Sequence, residues 1–146
     1  MRTFHIFNVN PYVVNLIKDD SYPLFNSFLK IRNLQNSDLS LGINIYEQIA
    51  VPINKELVNK KVYDYYTESC FYTKYMNKHT YIDKYIGEES YMNIDTSCIK
   101  LKTNKEKSSF FKCFSKSHNL FVCDFENKDY FWVDSLQWFI VLYRDK

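Results

Sequence analysis

Asn119-Leu120-Phe121-Val122-Cys123-Asp124-Phe125, then Glu126-Asn127-Lys128-Asp129, then Tyr130-Phe131-Trp132-Val133-Asp134 is the stretch on which the fold reading turns. Two runs of β-branched and aromatic residues flank four polar residues rich in turn formers, which predicts a β-hairpin. Upstream, Ser90 to Ile94 and Cys98 to Lys102 read as two further short strands around the turn Asp95-Thr96-Ser97. At the other end of the chain, Thr3 to Val9 carries apolar residues on both faces, the pattern of a central strand. Strands joined by short turns pair antiparallel. The expectation is one α+β domain over residues 1–146, with about five strands in a largely antiparallel sheet and helices packed on it.

The helices announce themselves by their starts. Asn10 is placed to cap a short helix with Pro11 at its first position, running to about Asp19. Ser21 is placed to cap a second, with Pro23 in its first turn and Leu24, Phe25, Phe28 and Ile31 at helical spacing. Arg32 to Ser40 reads as a connection. Leu41 to Val51 fits a strand by its Ile43-Ile45 and Ile49-Val51 alternation and a helix by Ile45, Tyr46 and Ile49, with Pro52 ending it. Asn54 suits the cap of a helix bearing Leu57, Val58, Val62, Tyr65 and Tyr66 on one side. Residues 63–91 hold eight tyrosines and read as further helical pieces ending near Gly87. Asn104 suits the cap of a helix with Phe110, Phe111, Cys113 and Phe114. Leu136 to Tyr143 closes the chain as a short helix or strand.

Composition narrows the function. In 146 residues there are only two glycines, Gly42 and Gly87, so no Gly-rich phosphate loop can be built. Nineteen basic residues against 17 acidic give a net charge of +2, which forces neither a nucleic-acid nor a membrane partner. Hydrophobic content of 46% is enough for a core. No apolar run reaches the ~18 residues of a membrane span. Asn8, Asn10 and Pro11 break the first apolar stretch too early for a signal peptide. A cytoplasmic protein is expected, with Cys70, Cys98, Cys113 and Cys123 as reduced thiols. Abundant Asn, Lys, Tyr, Ile and Phe fit an AT-rich bacterial or phage genome.

Catalytic and metal-binding patterns are missing. His5 reads as a structural residue in mid-strand, His79 sits in a Lys-rich polar context, and His118 stands at a strand entrance. None has a partner at metal-ligand spacing. A spatial Cys–His pairing is open to the fold, for example Cys123 with His5 across a sheet, although buried strand cysteines are usually inert. Asp19-Asp20 and Glu88-Glu89 read as solvated turn residues, since adjacent side chains diverge on any regular element. The expectation is a non-enzyme with no catalytic residue, metal or cofactor.

Two segments are candidate interfaces. Tyrosines of 63–91 interleaved with Lys60, Lys61, Lys74, Lys78 and Lys84 could stack bases and neutralise phosphates of a single strand. They equally suit a protein interface, or cover the core with only their hydroxyls exposed. The first helix, with Tyr12, Val13, Leu16 and Ile17, is either all core or leaves part of its face to a partner.

The hairpin also carries a resemblance. Asp124, Phe125, Lys128, Tyr130 and Trp132 match an Asp-Phe-x-x-Lys-x-Tyr-x-Trp pattern, and the block resembles the C-terminal segment of the sporulation inhibitor of replication (SirA) family. Arg2-Thr3-Phe4-His5-Ile6-Phe7 is similar to that family's first strand, and Tyr46 to Pro52 to its mid-chain Tyr-Ile-x-x-x-Ile-Pro element. The resemblance implies a cytoplasmic bacterial protein, monomeric before binding. It would bind the N-terminal domain of the replication initiator DnaA and inhibit chromosome replication initiation stoichiometrically. The implied contact residues are Tyr12 and Leu16 on the first helix with Asn44 or Gln48 after it; Leu16 stands where an aromatic is expected. The alternatives are a single-stranded nucleic-acid-binding protein using the Tyr/Lys segment, or a phage-type host-takeover interaction protein.

Overall fold

The computed structural model describes residues 1–34 and 38–136. One antiparallel sheet of seven strands organises them: β1 (Arg2–Asn8), β2 (Tyr72–Tyr75), β3 (Lys78–Asp83), β4 (Glu88–Ile94), β5 (Ile99–Thr103), β6 (Leu120–Asp124) and β7 (Asp129–Trp132). Their order across the sheet is β2-β3-β4-β5-β1-β6-β7. The N-terminal strand is central, as its two apolar faces predict, pairing with β5 on one side and β6 on the other. The α+β class holds, but five strands become seven.

The two extra strands, β2 and β3, replace the helical pieces expected within 63–91. Phe71 to Tyr75 and Lys78 to Ile82 are β-branched and aromatic runs around the two-residue turn Met76-Asn77. The turn lacks glycine, so its hairpin signal is weak; Met76 adopts the left-handed backbone itself, at φ 55°.

Alternation along β1 sorts the core into two clusters. Phe4 and Ile6 face one side; Phe7 and Val9 face the other. The Phe7 side is covered by α1 (Pro11–Ile17), α2 (Tyr22–Asn33) and α3 (Leu39–Ile49), whose Val14, Leu24, Phe25 and Phe28 are buried there. The Phe4 side is covered by α4 (Lys55–Tyr66) and a 3-10 turn at Ser109–Phe114, which bury Val62, Tyr66, Phe110, Phe111 and Phe114.

Several local expectations hold and several are corrected. Asn10 accepts from the Tyr12 amide and Asn54 from the Leu57 amide, so both cap their helices. The ambiguous 41–51 segment is helical as far as Ile49, where α3 ends, and Ala50 then bridges to Val9. Its Gly42 allows a close approach: Leu34 Cδ1 lies 3.0 Å from where a β-carbon would sit, so a larger residue would need that side chain to move. Ser21 makes no side-chain cap; its hydroxyl donates to Ile17 O and accepts from the Trp132 indole. On α4, Leu57 and Tyr65 point to solvent while Asn59 takes a buried place. Asn104 caps no helix but braces the β4–β5 hairpin, bonding Glu89 N and Gly87 O; Ser108 caps the 3-10 turn. The closing segment expected at 136–143 lies outside the described residues beyond Leu136.

Candidate functional site

Helix α1 is short, and its surroundings fix it at both ends. At its start, Asn10 N donates to Ile49 O at 2.9 Å, Val9 N to Asn119 O at 2.8 Å and Val51 N to Asn8 O at 2.7 Å. The end of α3 is thereby tied to the beginning of α1. At its end, Lys18 Nζ reaches Asp134 at 3.0 Å and His118 O at 3.1 Å, and lies 5.0 Å from the Trp132 ring centre. Burial tends to raise the Asp134 carboxyl, but bonds from His118 and Lys18 outweigh it and hold it below its ordinary value.

That anchoring decides which residues of α1 face inward. Val14 is buried and Val13 and Ile17 pack partly against the core. Tyr12 and Leu16, one turn apart on the same face, are 82% and 83% exposed. Asn44 and Gln48, also one turn apart, are exposed on α3. Gln48 immediately precedes the residue whose carbonyl receives the Asn10 amide. The structure therefore brings the four sequence-derived contact candidates onto two joined helices. An isolated, two-turn helix has no stability of its own; here tertiary bonds hold it, so its apolar side chains are displayed on a fixed frame.

The histidines behave differently from one another. His5 stands directly opposite Cys123 in the β1–β6 register, so the pairing foreseen across the sheet exists as a neighbour relation. It does not make a reactive couple. Burial, with Arg32 and Lys100 nearby, pushes the His5 imidazole down to about 4, and burial pushes the Cys123 thiol up. Both are neutral at pH 7, the reverse of a thiolate–imidazolium pair. Nor is His5 satisfied, because its buried Nδ1 has no hydrogen-bond partner among the described residues. His79, in a Lys-rich polar stretch of the sequence, is fully buried between Tyr72 and Asn59.

Glu88 likewise departs from the solvated-turn reading. It is 2% exposed and accepts from Ser90 Oγ, Ser108 Oγ, Ser109 N and Ser109 Oγ. Three of its four bonds come from Ser108 and Ser109, about 20 residues away in the chain, so local pattern does not show them. Among the described residues no group of three His, Cys, Asp or Glu side chains is placed to hold a metal ion. No helix among them is long and apolar enough to cross a membrane.

The tyrosine-rich segment splits. Tyr66 and Tyr72 are buried core residues, whereas Tyr63, Tyr65, Tyr75 and Tyr85 are exposed. Its lysines split too. Lys74 is paired with His79 and shares the α4 side of the sheet; Lys78, next to His79 on β3, points to the opposite side. The basic and aromatic residues of 60–91 thus fall on several surfaces. Against known proteins, no family model matches this chain and no curated protein matches it.

Proposed function

We propose that this protein is an inhibitory protein-binding module whose working surface is the exposed face of α1 with the adjoining end of α3. Its target would be the N-terminal domain of the replication initiator DnaA. The single observation that supports this best is the exposure of Tyr12 and Leu16 on a helix pinned at both ends. Tyrosine offers large amphipathic area at low entropic cost, and a pre-ordered helix loses little freedom on docking. Asn44 and Gln48 on α3, which Ile49 ties to the start of α1, would fix register through polar contacts at the rim. The target itself is supported by the hairpin and first-strand resemblance to the SirA family.

The mechanism is occupancy rather than chemistry. A monomer of this chain would sit on the initiator in the cytoplasm and block its use at the origin, without cofactor or turnover. Titration calorimetry with the DnaA N-terminal domain tests it. Wild type should bind, and Tyr12→Ala should weaken binding by about 2 kcal/mol or more, roughly 30-fold. Its melting temperature should stay within a degree or two of wild type, because the side chain contributes little to the core. Failure of the wild-type chain to bind at all would remove DnaA as the target.

A further inference from the structure

A cavity of about 870 Å³ opens between the start of α4 and the β2–β3 hairpin, on residues the α1 surface does not use. Lys55, Lys60 and Lys74 line it, against a single carboxylate, Glu56. Lys60 is shared with Asp64 along the helix; Lys55 and Lys74 carry no ion pair among the described residues.

The uncharged lining has the same polarity. Asn59 Oδ1 can only accept, so His79 Nε2 carries the hydrogen of that 2.6 Å contact. His79 is neutral, so its Nδ1 accepts from the Tyr72 hydroxyl at 2.7 Å. Asn59 Nδ2 then donates to Asn77 Oδ1 at 3.1 Å. Asn54 Oδ1 is already taken by the Leu57 amide. In all three amides lining the cavity the oxygen is engaged, while among the described residues the Asn54 and Asn77 NH2 groups meet no acceptor and Asn59 has one hydrogen to spare. A buried Tyr–His–Asn chain thus sets the hydrogen-bond polarity of the cavity floor, and what it presents is N–H. Tyr63, half-exposed at the rim, adds a ring face.

We propose that this cavity binds a small phosphorylated ligand, a phosphate monoester or diphosphate, whose oxygens take the Lys55, Lys60 and Lys74 ammonium groups and the Asn54, Asn59 and Asn77 amides. Lysine serves phosphate as a point charge, and several convergent donors suit a group with many acceptor oxygens. The volume is ample for more than the anion alone.

Pyrophosphate titrated into 15N-labelled full-length protein tests this. Expected are saturable shifts of the Asn54, Asn59 and Asn77 side-chain amide signals. Affinity should fall at least about tenfold in Lys55→Ala/Lys74→Ala and in Asn77→Asp. These positions are on the surface, so melting temperatures should stay near wild type. Absence of saturable shifts up to about 10 mM pyrophosphate overturns the proposal, since even millimolar affinity would show. Equal binding of citrate overturns it in favour of unselective anion attraction. Tighter binding of a single-stranded oligonucleotide, with shifts spreading beyond the cavity to Tyr65 and Tyr85, overturns it in favour of a nucleic-acid surface.

Discussion

The two faces of the sheet are built from the same aromatic material and finished differently. On the α1–α3 face the core is dry. Phe7 stacks on Phe28 at 3.9 Å between ring centres, and Phe25 stacks on Tyr130 and Phe125. On the α4 face, polar networks are set among the rings: Glu88 with Ser90, Thr103, Ser108 and Ser109, and Tyr72 with His79, Asn59 and Asn77. Asp124 belongs to this face too, beside Phe4 on the neighbouring strand, and is held by Arg2 at 2.9 Å. On the dry face the area offered to a partner is mainly apolar, Tyr12 and Leu16 on α1, with Asn44 and Gln48 of α3 as its polar margin. A face with internal hydrogen bonds can aim leftover donors outward, and the α4 cavity does so.

The largest test of this contrast removes one anchor from each face. Phe28→Ala opens a void in the dry cluster and should cost about 3–5 kcal/mol by chemical denaturation. Glu88→Ala removes far less apolar volume, yet it takes the acceptor from the Ser109 hydroxyl and amide, while Ser90 and Ser108 keep each other and Thr103, and should cost about 2 kcal/mol or more. If Glu88→Ala is nearly silent, the polar network is not what fixes the 3-10 turn to the sheet.

The histidines sharpen the contrast, one on each face. His5→Leu removes an unpaired buried nitrogen and should stabilise by about 1 kcal/mol. His79→Leu leaves the Tyr72 hydroxyl and the Asn59 oxygen unpaired and should destabilise by about 2 kcal/mol. Both imidazoles are pushed down to about 4 by burial first, helped by nearby cations. The unfolded chain takes up these protons below its ordinary value of about 6.5, whereas the folded chain refuses them until about 4. Unfolding therefore binds protons in that window, and stability falls as pH drops from 6.5 to 4. Each substitution should flatten the slope by about one proton, read from denaturation midpoints at several pH values. Below the window Asp124 adds to the loss. Burial raises its carboxyl, but bonds from Asn127 and Arg2 more than offset this and leave it low. Its contribution is present above the unfolded value and fades as pH falls through the folded one.

What the sequence made legible follows the same division. The dry face is apolar periodicity and caps: the central β1, the Asn10-Pro11 start of α1 and the Phe25–Phe28 stripe of α2 all read directly. The sequence does not decide between core and interface for Tyr12 and Leu16, because a two-turn helix has too few positions to define its inner face. The α4 face depends on residues that look like surface. Glu88, His79 and Asn59 are polar, local pattern places them outside, and only tertiary pairing brings them in. The β2–β3 hairpin was hidden because its turn is Met76-Asn77, with neither Asn-Gly nor Asp-Gly to mark it. Without that hairpin neither His79 nor the cavity could be placed.

The smallest effect comes from the turns at the two edges of the sheet. Met76 in the β2–β3 turn and Lys128 in the β6–β7 turn both hold positive φ, 55° and 53°. An L side chain in the left-handed region costs about 1 kcal/mol, which glycine avoids. Glycine also loosens the unfolded chain, so the net gain is smaller, about 0.5 kcal/mol for either substitution. The two should still differ in consequence. In the Lys128 turn, Asn127 donates twice to Asp124, which fixes the loop independently of residue 128. In the Met76 turn, the neighbouring Asn77 side chain is the last link of the His79 chain, and the backbone angle at 76 sets where it points. Met76→Gly should therefore relax the orientation of Asn77 and weaken pyrophosphate binding severalfold while raising the melting temperature slightly. Lys128→Gly should raise the melting temperature by a similar amount and leave pyrophosphate binding unchanged. If both leave it unchanged, the turn geometry at 76 does not govern the cavity.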